Sequence, residues 1–86
     1  MTMNSKQRKT LKALFENPVR SNIAWNDIER LFVGLEATIL EGEGPRVCVL
    51  LNDIRAVFHR PHPQKEASRG MVRSVRQFLT SAGIHQ

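Results

Sequence analysis

The sequence has a single cysteine, no long apolar run and no low-complexity tract. Each of these features excludes some classes of protein. With Cys48 as the only cysteine, no internal disulfide can form, which fits a reducing cytoplasm. A structural zinc site would need more ligands than Cys48 and scattered histidines supply. No segment reaches membrane-spanning length, and no signal-peptide core is visible. We therefore expect a cytoplasmic protein that needs no membrane, metal or cofactor.

The length of the chain limits the number of domains, and its charge distribution indicates the kind of partner. Eighty-six residues, 41% of them hydrophobic, suffice for one core, so residues 1–86 should form a single domain of modest stability. The formal net charge of +5 favours an anionic partner. Residues 46–86 carry seven cationic and two anionic side chains and all three histidines, whereas residues 17–45 are net acidic. This co-location favours a nucleic acid, although a solvated charged face would give the same pattern.

Two helices are predicted in the first part of the chain. The first should run from Ser5, as its cap, to Glu16. The second should run from about Trp25 to Val33 and stop at Gly34. Both have apolar residues at the spacing of a buried helical stripe.

Three strands should follow, at residues 37–40, 46–51 and 54–59. Asn52-Asp53 is a plausible two-residue hairpin turn, and such a turn fixes the register of the two strands it joins. Val47 then faces Phe58 on a wholly apolar face that helices should cover. Arg46 faces His59 on the opposite, mixed face. A cationic residue directly across from an imidazole is the sharpest structural prediction from this sequence.

The final helix should begin near Ser68 and stop at Gly83, with its arginines on the side away from its apolar stripe. The junction before it, residues 58–66, crowds two imidazoles between cationic side chains. Imidazole exchanges protons near neutral pH, and guanidinium and ammonium groups bind phosphate. The junction therefore suits phosphodiester chemistry or RNA binding. A proline-stiffened loop with solvated basic residues is an equally weighted reading.

One stretch carries a family resemblance: Pro61-His62-Pro63-Gln64-Lys65-Glu66, then Gly70, Arg73-Ser74 and Ala82-Gly83-Ile84. It resembles the C-terminal half of the HicA toxins. Over residues 25–84, with residues 1–24 as a helical extension, the element order α-α-β-β-β-α is similar to that family. The resemblance implies an α+β fold in which a small three-stranded antiparallel sheet packs on helices, like a double-stranded-RNA-binding domain.

The resemblance also implies an endoribonuclease that cleaves mRNA, as a stress response, and is held inactive by a HicB-like antitoxin. The signature residue of the family is a histidine in Gly-Ser-His at the start of the second strand. This sequence has Gly44-Pro45-Arg46 there. The chain therefore either works through another group or is weak or inactive as a nuclease.

The hairpin register offers such a group, because it places His59 across from Arg46. In a metal-free reaction, His59 would act as general base or acid on the 2′-hydroxyl and Arg46 would stabilise the phosphorane. His62 ranks second, and His85, near the C-terminus, is discounted. A non-catalytic RNA-binding module and an interaction protein that only receives an acidic antitoxin remain alternatives. The residues expected to bind RNA are Arg60, Lys65, Arg69, Arg73 and Arg76.

Overall fold

The structure, a computed structural model, describes residues 3–85. The expected α+β fold is confirmed, while the outermost ends of the expected domain, residues 1, 2 and 86, lie outside the described residues. The helices are α1 (Ser5–Leu14), α2 (Trp25–Gly34) and α3 (Arg69–Ser81), and the strands are β1 (Ile23–Ala24), β2 (Thr38–Glu41), β3 (Arg46–Leu51), β4 (Ile54–His59) and β5 (Glu66–Ala67). Strands β2, β3 and β4 form an antiparallel sheet in that order, and β1 pairs with β5.

The predicted hairpin register between β3 and β4 is confirmed at all six pairs, from Arg46 opposite His59 to Leu51 opposite Ile54. Both turn residues have positive φ, 51° at Asn52 and 67° at Asp53. This is the primed turn whose twist matches that of the flanking strands. The Asn52 side chain also donates a 2.9 Å hydrogen bond to the carbonyl of Ala82, which ties the turn to the end of α3.

The helices cover one face of the three-stranded sheet. Four aromatic rings meet between the layers with centroids 5.8 to 6.4 Å apart, in mostly edge-on or tilted geometry. They belong to Trp25 and Phe32 of α2, Phe58 of β4 and Phe78 of α3. Leu14 of α1 is fully buried in the same cluster, so the N-terminal helix shares one core with the rest of the chain.

The first helix begins and ends differently from the prediction. Asn4, not Ser5, is its cap: the Asn4 side chain accepts from the backbone N–H of Gln7 at 2.7 Å, and the Gln7 side chain accepts from the Asn4 N–H at 2.9 Å. This reciprocal capping box satisfies two otherwise free donors, which Ser5 could not do here because its third successor is not Gln or Glu. The helix closes at Leu14 rather than at Glu16.

The helices α2 and α3 end in the same backbone motif with different residues. After α3, Gly83 has φ 86°, and Ile84 N–H donates to the Leu79 carbonyl at 2.8 Å. Gly83 is therefore confirmed as the stop of α3. Ser68 is confirmed as its cap, because the Ser68 hydroxyl accepts a hydrogen bond from the Met71 N–H. After α2, the left-handed residue is Glu36, with φ 66°, rather than the expected Gly34. The chain therefore places a side chain where glycine is normally preferred.

A short ribbon that the sequence patterns did not predict closes the junction before α3. Ile23 pairs with Ala67 and Ala24 with Glu66, and Trp25 N–H donates to the Lys65 carbonyl at 2.9 Å. Each strand has only two residues, too few for a period-2 pattern to be visible. The ribbon holds the proline-rich junction against the start of α2. Within residues 3–85, none of the helices combines the length and the apolar character needed to span a bilayer.

Candidate functional site

Arg46 and His59 are direct neighbours at one end of the β3–β4 ladder, and both are exposed. The adjacent pair, Pro45 and Arg60, is the hydrogen-bonded one, because Arg60 N–H donates to the Pro45 carbonyl at 2.9 Å. Pairs alternate along an antiparallel ladder, so Arg46 and His59 form a non-hydrogen-bonded pair. Such pairs bring the Cα atoms to about 4.5 Å and place the side chains close together. The guanidinium and the imidazole therefore project side by side from the face that the helices leave open.

The imidazole of His59 is available for chemistry. Among the hydrogen bonds of the described residues, none involves its ring nitrogens. Within residues 3–85, its side chain therefore makes no hydrogen bond to a backbone carbonyl. The side chain is positioned by its strand alone.

His62 lies beyond the end of the ladder, beside a depression of about 500 Å³ that Pro45, Arg60, Pro61 and His62 line. Its side chain is exposed and makes no hydrogen bond within residues 3–85. The depression connects the loop that carries the changed signature, Gly44-Pro45, with the proline-rich junction. Arg46, His59 and His62 thus lie at the same end of the sheet, with the first two paired and the third beyond them.

Arg60 has a different role from the other cations of the junction. Its guanidinium forms ion pairs with Glu29 of α2 at 2.6 Å and with Glu41 of β2 at 2.7 Å. Glu29 also accepts from the indole N–H of Trp25. The four side chains link α2, β2 and the end of β4, so that Arg60 fixes the position of the segment between His59 and Pro61.

The ion pairs shift the pKa values of Glu41 and Arg60. The hydrogen bond from Arg60 lowers the pKa of the Glu41 carboxyl below its ordinary value of 4.5. Hydrogen bonds to Glu41 and Glu29 raise the pKa of Arg60 above its ordinary value. Both shifts favour the charged forms that make the contacts. Glu41 is largely exposed, so solvent screens much of this interaction.

Arg76 is also used within the protein. Its guanidinium donates to the carbonyls of Leu14 and Glu16, both at 2.7 Å, and to the Asn17 side chain at 3.3 Å. It also lies over the Phe15 ring, 5.7 Å from the centroid. Carbonyls at the end of a helix have no partner within the helix, so Arg76 caps α1 from α3.

The other three residues expected to bind RNA, Lys65, Arg69 and Arg73, are exposed and make no ion pair among the described residues. RNA binding by any of the five stays a prediction. Sequence reasoning missed the partners of Arg60 and Arg76. A signal for Arg60 was present, because the net acidic segment 17–45 supplies both Glu29 and Glu41 to the cationic C-terminal half.

The open face of the sheet carries an apolar row beside the Arg46–His59 pair. Leu40 faces Cys48 across β2 and β3, and Cys48 faces Val57 across β3 and β4. Leu40 is 53% exposed and Val57 47%. By the register of the described strands, no residue of β2, β3 or β4 on this face is a carboxylate, whereas Arg46, Arg55 and His59 lie on it. Exposed apolar rows with a polar rim are typical of protein interaction surfaces.

Comparison with known proteins agrees with this architecture. The fold is that of a small α+β domain of the double-stranded-RNA-binding type, with the helices on one face of a three-stranded antiparallel sheet. The family model of the HicA toxins of bacterial toxin–antitoxin systems matches residues 25–84, well over half of the chain. The chain therefore belongs to the HicA toxin family. No curated protein and no solved structure matches it.

Proposed function

We propose that this HicA-family chain is the toxin of a bacterial HicAB-type pair, an endoribonuclease that acts on mRNA in the cytoplasm and is inhibited by a HicB-like antitoxin. The observation that carries the proposal is the exposed Arg46–His59 pair. In this chain, Arg46 occupies the position at the start of β3 where the family signature has its histidine. The pairing brings the imidazole of His59 next to that position.

The pair supports RNA cleavage without a metal ion. His59 removes the proton of a ribose 2′-hydroxyl, and the 2′-oxygen attacks the adjacent phosphorus. Arg46 stabilises the charge of the phosphorane. The imidazolium then returns its proton to the departing 5′-oxygen, which leaves a 2′,3′-cyclic phosphate and a free 5′-hydroxyl. His62, at the same end of the sheet, is the second candidate for proton transfer.

The same surface suits an acidic antitoxin. The apolar row Leu40–Cys48–Val57 would form the dry centre of such an interface, while Arg46, Arg55 and His59 would meet its carboxylates. An antitoxin seated there covers the Arg46–His59 pair and blocks access of RNA. Hydrogen exchange on the complex tests this. We expect protection of β3 and β4, and protection confined to α1 would contradict the proposal.

A second function is favoured by one observation. The loop before Arg46 has Pro45 where the family has serine, which removes a hydroxyl and an N–H that could contact phosphate. A chain that kept the cationic surface but lost cleavage would be an RNA-binding module. Titration of single-stranded RNA at increasing salt measures the binding that both functions share. A steep negative slope of log affinity against log salt is expected if Lys65, Arg69 and Arg73 displace counterions, and a flat response would remove the electrostatic argument.

Induced expression separates the two functions. We expect induction of the chain alone to arrest growth and degrade RNA, and co-expression of the acidic product of a neighbouring gene to prevent both. A chain that is tolerated at high level, with RNA intact, would support the binding module instead.

A further inference from the structure

We propose that the cleft between α1 and the segment leading into α2 binds the phosphate backbone of the RNA strand whose scissile bond lies at Arg46–His59. Residues outside the family match would then lengthen the RNA-binding site. This inference rests on the proposed function, because it takes RNA as the ligand.

The cleft is a cavity of about 310 Å³ at the junction of the extension with the family core. Its wall on one side is the face of α1 that carries Lys6 and Lys9. Its other wall is formed by residues of the segment from Arg20 to Ala24, and Asp27 of α2 also lines it. The cleft therefore exists only because the residues before Trp25 fold onto the core.

The charge of the cleft favours an anion. Lys6, Lys9 and Arg20 line it against one carboxylate, Asp27. Asp27 is already engaged by Lys6 at 3.7 Å and by Arg30 at 3.3 Å, and Arg20 pairs with Glu16 at 3.4 Å. Lys9 is exposed and makes no ion pair among residues 3–85. Its ammonium group is the cation most available to an incoming phosphate.

Two neighbouring hollows lie between the cleft and the candidate site, and each shares wall residues with the next. Ala24 also lines a second recess, of about 280 Å³, whose other walls include Arg60, Pro61 and Lys65. Arg60 and Pro61 in turn line the depression of about 500 Å³ that holds His62. Shared wall residues therefore place the three hollows next to one another, in the order of Lys9, Lys65 and His62, and this row of hollows is the path proposed for the RNA.

A path of separate cations with small apolar surfaces between them fits a single-stranded nucleic acid better than a protein. Single strands are held by positive grooves that follow the backbone. A protein interface of useful size would need an apolar centre. Among residues 3–85, the large exposed hydrophobic side chains are Val33, Leu40, Leu50 and Val57, and none of them lines the cleft.

The test compares Lys9→Ala with Lys12→Ala. Both lysines are exposed residues of α1 without an ion pair in the described structure, and both changes remove one charge from the same helix, but only Lys9 lines the cleft. The probes are 2′-O-methyl RNAs of about 4 and about 16 nucleotides, the span of site sizes in single-strand-binding folds. Such RNAs lack the 2′-hydroxyl and stay intact during the titration.

Lys9→Ala should weaken binding of the long RNA several-fold and reduce the salt slope by about 0.7, the value for one phosphate contact on a single strand. Binding of the short RNA should not change, and Lys12→Ala should alter neither. Equal affinity of the two variants for the long RNA would overturn the inference while leaving the proposed function intact. A Lys9→Ala variant that lost only antitoxin affinity would overturn it in favour of a protein ligand. Absence of salt-dependent binding of either RNA to the parent would refute the proposed function itself.

Discussion

Arg73 and Arg76 lie one turn apart on the same side of α3, yet they do different things. Arg73 is exposed and makes no ion pair within the described residues. Arg76 donates three hydrogen bonds, one to the last residue of α1 and two to residues just after it. The helical period places both on one face, but only the docking of a distant helix decides which of them is used internally. A row of like charges therefore mixes structural residues with free ones.

The junction before α3 repeats this contrast. Arg60 is bound by Glu29 and Glu41, whereas Lys65, five residues later, is exposed. The free cations are available to bind RNA, and the bound ones hold in place the elements that carry the site. Substitutions that separate folding from RNA affinity can break or sharpen this division.

The largest effect on stability is expected for Arg76→Ala. Loss of a charged donor to backbone carbonyls costs about 1.5–3 kcal/mol, and the change also exposes the end of α1. We expect the free energy of unfolding to fall by about 2 kcal/mol. Chemical denaturation measures it, and Arg73→Ala is the control, with a change within about 0.5 kcal/mol. Equal effects of the two substitutions would contradict the division.

A smaller, pH-dependent effect is expected at Glu41. Because the pKa of folded Glu41 lies below 4.5, its ordinary value, the Arg60–Glu41 contact contributes stability that is present above that value. This contribution is lost as the pH falls through the lowered pKa. Glu41→Gln should therefore lose less stability than the parent does on going from neutral pH to below 4.5. Parallel thermal melts across this range test the prediction, and identical pH profiles would contradict it.

The smallest effect concerns the ends of α2 and α3. Glu36 and Gly83 occupy the same left-handed position of one motif, and nothing lies within 4 Å of a side chain added at Gly83. Gly83→Ala should therefore change the backbone cost alone. Glu36→Gly should stabilise the protein by about 1 kcal/mol, and Gly83→Ala should destabilise it by about as much. Melting temperatures that moved in the same direction would show that other contacts dominate.

Local rules predicted the parts of the fold that local chemistry decides. The turn at Asn52-Asp53 set the hairpin register, and Ser68 and Gly83 marked the ends of α3 as expected. The pairing of Asn4 with Gln7 was also readable as a capping box, and the choice of Ser5 overlooked it. The acidic segment 17–45 indicated where partners for Arg60 could lie, but the individual contacts of Arg60 and Arg76 were not readable, because the partners lie 19 to 62 residues away. The β1–β5 ribbon was hidden by the shortness of its strands.

The candidate site divides in the same way. The facing of Arg46 and His59 followed from the turn, since a two-residue loop leaves one register. The cleft beside Lys9 required knowing that α1 folds back along the start of α2, and helix periodicity alone does not indicate that packing.

The central claim, that the Arg46–His59 pair cleaves RNA, is tested most directly by measuring RNA cleavage by purified His59→Ala beside the parent and His85→Ala. All three should show comparable melting, because His59 and His85 are exposed and their side chains make no hydrogen bond within residues 3–85. We expect the parent and His85→Ala to cleave RNA at similar rates and His59→Ala to lose at least about 100-fold, the lower range for loss of general acid–base catalysis. Cleavage by folded His59→Ala at the parental rate would contradict the claim and move the assignment to His62.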